Sequence, residues 1–235
     1  MKLMPMFANL LQLRFCVYKL IGQSKLRLKA KITNRVFACK ALQGESGYNI
    51  CINSDMTVSC NCQDYDGSGQ IGDLKTQTLP EIFSGKKAQA FREKLASCHF
   101  PTSTCWVCSD FCLINKSEKI KYLTKYKIPQ KGIMVENTVL CNLSCLGCDR
   151  EKLLSIRSIN CLPDGAIEKI SDMLSKHSIK NVSFFNLGEP FLSEKFAHEI
   201  KTLRMMNNDV RIITSTNGVF VDTTEKMEAA GKFPQ

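Results

Sequence analysis

Residues 141–148 read CNLSCLGC, which places Cys141, Cys145 and Cys148 at a C-x3-C-x2-C spacing. Thiolates crowded in this way are metal ligands. Three of them can hold three irons of a four-iron, four-sulfur (4Fe-4S) cluster and leave the fourth iron open to a small molecule. A distant fourth ligand, such as Cys161 or His177, would instead complete a zinc site. The chain has thirteen cysteines in 235 residues. An odd number does not suit a pure disulfide framework, and disulfide-rich secreted domains are shorter and denser in cysteine. The grouping predicts reduced, metal-binding thiols in a cytoplasmic protein. A second set lies upstream: Cys51, then Cys60 and Cys62, then Cys98, Cys105, Cys108 and Cys112. Cys16, Cys39 and Cys161 read most simply as small buried hydrophobes.

The elements that position these thiols follow from periodicity. GIMVENTVL (132–140) reads as a strand that runs directly into the three-cysteine loop. LPDGAIEKISDMLSKHS reads as a helix with Ala166, Ile167, Ile170, Met173 and Leu174 on one face. IKNVSFFNL is a second strand, SEKFAHEIKTLRMMN a helix with Ser193 as N-cap, DVRIITST a third strand, and TTEKMEAAG a helix closed at Gly231. Strands alternating with helices predict parallel β/α units. Upstream, DYDGSGQIGD is loop or hairpin chemistry. LPEIFSGKKAQAFREKLASC reads as one helix, or as two broken at Gly85, with Pro80 in the first turn.

The composition is that of a globular chain of one or two domains, 44% hydrophobic and 23% charged. The reading divides it into a basic amphipathic leader (1–45), a cysteine-rich segment (46–114), a lysine-rich linker (115–131) and a β/α segment (132–235). No stretch reaches the roughly 18 apolar residues of a membrane span, so stable membrane insertion is not expected. The net charge is +10, with basic runs at 25–35 and 115–131. No aromatic-interleaved module accompanies them, and DNA binding is not expected.

CNLSCLGC resembles the cluster loop of radical S-adenosylmethionine enzymes. Two further segments carry the same resemblance in the same order. FFNLGEP (184–190) is similar to that family's G-E-P segment, and IITSTNG (212–218) to its ribose- and carboxylate-contacting strand end. The resemblance implies a (β/α) barrel, here partial with about three units, and a 4Fe-4S cluster on Cys141, Cys145 and Cys148. It implies S-adenosylmethionine contacts from Gly188, Glu189, Ser215 and Asn217. It also implies reductive cleavage of that cofactor and hydrogen abstraction from a peptide or small-molecule substrate, with an electron donor such as flavodoxin or ferredoxin. Gly147 departs from the family, which has an aromatic residue there. Residues 50–112 resemble the SPASM module, an auxiliary iron–sulfur domain that ordinarily follows the radical domain. That likeness implies an auxiliary iron–sulfur cluster on Cys51, Cys60, Cys105 and Cys108, with zinc the alternative metal and either Cys60 or Cys62 a spectator. The alternative to an enzyme is a non-catalytic iron–sulfur protein that transfers electrons or binds a partner.

Overall fold

The structure, a computed structural model, describes residues 4–231, with side chains from residue 16 onward. A long helix α1 (Met4–Ile32) leads into β1 (Arg35–Cys39). Three short strands follow, β2 (Cys51–Ile52), β3 (Thr57–Ser59) and β4 (Gln70–Asp73), then α2 (Leu79–Ser84) and α3 (Lys86–Ala96). The chain returns through β5 (Phe111–Asn115) and α4 (Lys119–Thr124) to β6 (Ile133–Val135). The remainder is α5 (Arg150–Ile156), α6 (Ala166–Lys176), β7 (Asn181–Ser183), α7 (Phe196–Met206), β8 (Arg211–Ile213) and α8 (Thr224–Ala230).

The fold is mixed α/β. β1 and β5 pair antiparallel as a separate ribbon. The other strands form one open sheet in the order β4-β3-β2-β6-β7-β8. β2, β6, β7 and β8 run parallel, while β2, β3 and β4 form an antiparallel meander. The three expected β/α units are present. The sheet nevertheless continues past β6 into the cysteine-rich segment, because β2 pairs with β6 and sets Cys51 beside Met134. One core crosses that join: Ile52 and Val58 share a cluster with Val135, Ile170, Val182 and Phe184. Residues assigned to two segments by their texture therefore bury their apolar surface together.

Local chemistry accounts for the elements. α6 buries Ala166, Ile167, Ile170, Met173 and Leu174, the face its spacing predicts. Gly85 breaks the upstream helix in two. Thr78 caps α2 in a reciprocal box with Glu81. α7 begins later than expected. Ser193 accepts from the Lys195 amide in the preceding turn, and the helix starts at Phe196. α5 has no apolar repeat long enough to announce it.

The segment 115–131 is more than a linker. It holds α4, whose Tyr122 is buried and accepts from the Cys39 amide at 3.2 Å. Tyr126 lies 4.2 Å from the Arg92 guanidinium, ring face to cation. Arg92 is itself fully buried and donates to the carbonyls of Leu42 and Phe83. The tyrosines four apart, rather than the lysines, hold this stretch in place. The leader's apolar stretch falls mainly outside the residues whose side chains are described. Among the described residues, no helix is long and apolar enough to cross a membrane.

Candidate metal centres

β1 ends in a cysteine, RVFAC at Cys39, and β3 is followed directly by one, TVSC at Cys60. A short 3-10 turn, Cys105–Val107, sets Cys105 and Cys108 ahead of β5. Antiparallel pairing puts Cys39 opposite Phe111. The result is a small cavity of about 20 Å³ lined by Cys39, Cys60, Cys105 and Cys108, with Asn61, Leu95 and Phe111. Burial pushes the Cys39 and Cys60 thiols well up, and neighbouring thiols add to the shift. Burial also raises Cys105, which Thr102 partly offsets from 3.0 Å, and Cys108. A cationic iron group reverses this penalty, since coordinated thiols are held deprotonated. Four soft donors with no carboxylate among the lining residues, in a largely apolar shell, suit an iron–sulfur cluster.

The lining differs from the expected ligand set. Cys51 does not line the cavity. It is buried in β2, its thiol directed to its neighbour's carbonyl, Ile52 O, at 3.8 Å. Cys39, read from sequence as a buried hydrophobe, lines the cavity with the other three. The available signal was the strand-then-cysteine pattern that RVFAC shares with TVSC. Cys62 bonds Asn49 Oδ1 at 3.3 Å. Cys112 alternates with Phe111 and so turns to the other side of the ribbon, against Ala38 and Tyr122.

The second centre lies at the C-terminal ends of the parallel strands, where open α/β sheets bind ligands. Cys141, Cys145 and Cys148 share the loop that follows β6. Cys145 is exposed and the other two are half-buried. The Leu143 amide donates to Cys141 Sγ at 3.4 Å. A cavity of about 260 Å³ is lined by Cys145 and Cys148 of the loop with Leu143, Ser144, Arg150 and Glu151, while Cys141 does not line it. A Cβ at Gly147 would meet nothing within 4 Å, so the missing aromatic residue reflects no steric demand there. Each alternative fourth ligand has a place of its own in the fold. Cys161 pairs with Thr138 at 3.2 Å, and His177 caps the far end of α6, ahead of β7. Among the described residues, no three His, Cys, Asp or Glu side chains converge on single-ion distances.

The other two segments meet this loop. The Glu189 amide donates to Leu140 O at 2.8 Å, next to Cys141. Gly188 permits that approach, because a Cβ there would lie 2.0 Å from Thr138 O. The close contact is thus with the chain's own backbone. Gly188→Ala is expected to destabilise by about 3 kcal/mol or more, since backbone must shift; urea unfolding against wild type measures it. Glu189 is 2% exposed. Its Oε1 accepts from Phe191 N at 3.1 Å and Thr216 Oγ1 at 2.7 Å, and Oε2 from Asn217 N at 2.7 Å. A carboxylate has about four acceptor directions, so one is left. Asn217 Nδ2 donates to Asn142 Oδ1 at 2.9 Å, inside the cysteine loop. Ser215 is exposed.

Two buried polar groups support the base of this loop and were not foreseen. Glu136, fully buried just past β6, accepts from Arg157 Nε at 2.8 Å and from Asn186 Nδ2 at 2.7 Å. Asn137 donates to Pro190 O and to Glu199 Oε2, at 3.2 and 3.3 Å, while its own Oδ1 is buried without a partner. Burial pushes the Glu199 carboxyl from 4.5 up to about 7, against the lowering effects of Asn137 and Lys195. A raised folded value makes its contribution full below pH 4.5 and lost as pH rises through about 7. At about 1.4 kcal/mol per pKa unit, the loss is on the order of 3 kcal/mol. Glu199→Gln removes this part of the pH dependence, and its amide can donate to the unpartnered Asn137 oxygen. Unfolding midpoints measured across pH 4.5–8 check the prediction, which fails if both proteins show the same slope.

Residues 39–109 match the family model described as SPASM, an iron-sulfur cluster-binding domain. The match opens on Cys39 and includes all four cysteines of the cavity. No curated protein and no solved structure matches the chain.

Proposed function

We propose that this chain, which carries a SPASM iron–sulfur cluster-binding domain, is a radical S-adenosylmethionine enzyme with two iron–sulfur centres. The auxiliary cluster sits on Cys39, Cys60, Cys105 and Cys108. The second, a 4Fe-4S cluster, sits on Cys141, Cys145 and Cys148. The observation that carries the reading is the joining of three separate strand ends into one unit at the three-cysteine loop: Leu140 to Glu189, Glu189 to Thr216 and Asn217, and Asn217 to Asn142. In this reading the β/α units from β6 to α8 are those of a β/α barrel, and the cysteine-rich segment covers the edge of the first strand, β6.

When bound, the cluster and S-adenosylmethionine together supply one-electron cleavage of a carbon–sulfur bond and hydrogen abstraction from an organic substrate. The chain's own residues do the positioning. Glu189 fixes the loop after β8 against the G-E-P turn, so it acts first as a positioning residue, with one acceptor direction left for the cofactor's ammonium. Gly188 brings that turn onto the backbone before Cys141. Asn217 orients the cysteine loop through Asn142. Ser215, exposed beside them, is free to bond the cofactor. The substrate is a peptide or a small molecule, and a flavodoxin or ferredoxin supplies the electron in the cytoplasm.

Anaerobic reconstitution followed by electron paramagnetic resonance tests this. S-adenosylmethionine is expected to change the cluster spectrum and to yield 5′-deoxyadenosine under a reductant. Cys145→Ala is expected to abolish both while the auxiliary signal persists. A second reading, a non-catalytic iron–sulfur electron carrier, is favoured by one observation: the Glu189 carboxylate is largely committed to internal donors. A spectrum indifferent to the cofactor decides for that reading. Zinc recovered without iron overturns both.

A further inference from the structure

Residues 1–44 contain nine lysines and arginines and no aspartate or glutamate. Most of them lie on α1, and the described half of that helix has two different faces. One faces the body of the protein. Ala30 is buried, Leu26 is half-buried against the core, and Gly22 lies so close to Trp106 that a Cβ would sit 2.8 Å from the ring. The other face is apolar yet turned to solvent. Val17, Ile21, Leu28 and Ile32 are 45%, 46%, 58% and 74% exposed. At 3.6 residues per turn these four fall within an arc of about 60°. Lys25 and Lys29 border the arc on one side and Lys31 on the other. Arg27 is partly committed, its Nε donating to Cys98 O at 3.3 Å.

An apolar stripe between rows of lysine, on the outside of the fold, has the chemistry of a helix lying in a lipid interface. We propose that the outer face of α1 docks the protein on an anionic bilayer surface, with Val17, Ile21, Leu28 and Ile32 among the acyl chains and Lys25, Lys29 and Lys31 among anionic headgroups. The charge argues against a second copy of the chain as the occupant, because two such faces would oppose lysine with lysine and offer no acid. The pattern agrees: Ser24 and Lys31 interrupt any heptad seam through Ile21 and Leu28. Nucleic acid would reward the lysines but not the stripe. The contact proposed is peripheral; no helix among the described residues is long and apolar enough to cross a bilayer. The proposal does not depend on the identity of either metal centre.

Co-sedimentation of the full chain with vesicles tests it. Binding is expected to vesicles of phosphatidylglycerol and phosphatidylcholine, and not to phosphatidylcholine alone. Lys25→Gln, Lys29→Gln and Lys31→Gln together are expected to lower the partition coefficient about a hundredfold, at about fivefold per lysine. Ile21→Ser with Leu28→Ser is expected to lower it about tenfold or more. Both side chains are solvent-facing, so circular dichroism and iron content should be unchanged. Failure to sediment with anionic vesicles at low salt overturns the proposal. So does equal vesicle binding by Ile21→Ser/Leu28→Ser, or binding to polyglutamate that needs the lysines alone, which marks an acidic protein surface instead. A dimer in sedimentation velocity that Leu28→Ser dissolves overturns it in favour of self-association.

Discussion

Cys39→Ser is expected to remove the proposed auxiliary cluster, and Cys51→Ser to spare it. In reconstituted protein the first substitution is expected to lower iron by one cluster's complement, about four irons per chain for a cubane, with a matching fall in acid-labile sulfide. The second is expected to leave both unchanged. The difference follows from placement: Cys39 lines the cavity with Cys60, Cys105 and Cys108, whereas Cys51 faces its own strand's carbonyl in the main sheet. Both replacements are nearly isosteric, so a general loss of fold is not the expected route. Near-ultraviolet circular dichroism of the metal-free proteins checks that point. Iron loss in Cys51→Ser with retention in Cys39→Ser would restore the ligand set read from the sequence.

Arg157→Met is expected to cost roughly 3–5 kcal/mol, because it leaves Glu136 buried with its cation gone. The pair is dry, at 4% and 0% side-chain exposure. Arg157 also reaches Asn53 Oδ1 at 2.8 Å, while Glu136 holds the Ser54 amide at 3.2 Å and Asn186 at 2.7 Å. The network therefore ties the end of β2 to the ends of β6 and β7, beneath the cysteine loop. A loss of that size is a large fraction of the total stability of an ordinary domain. The double variant Glu136→Gln/Arg157→Met should recover much of it, since a neutral amide leaves no buried charge. Urea unfolding of the four proteins forms a double-mutant cycle. Additive effects would show that the two side chains do not act as a pair. Moderate salt should change the result little, because a buried pair is poorly screened.

The elements that local pattern governs were legible. α6 buries the face that its apolar spacing predicts, Gly85 divides α2 from α3, and the three cysteines fall on a loop after a strand, although β6 ends at Val135, short of the expected 132–140. The cysteine-rich segment was recognisable through its resemblance to the SPASM module, carried by short runs such as CNCQDYDGSGQIGDL and LPEIFSG, though its start was placed after Cys39 rather than on it. Each of these features depends on residues a few positions apart, and the chemistry of such neighbours is written in their order.

The rest depended on pairing across distance. Cys39 and Cys51 are both cysteines in short strands, and which one meets Cys60 rests on β1 pairing with β5 more than seventy residues later. Glu189 was read as a cofactor acceptor because carboxylates bind ammonium groups. Its partners at 216 and 217 come into reach only when β8 lies beside β7. The continuous sheet through β2 and β6 likewise crosses a boundary drawn on texture. Residue type and spacing determined that this chain would gather thiols in two places and alternate strands with helices. Strand pairing and burial decided which thiols share a cavity and which polar groups hold the loops, because those free energies belong to contacts between segments and to no segment alone.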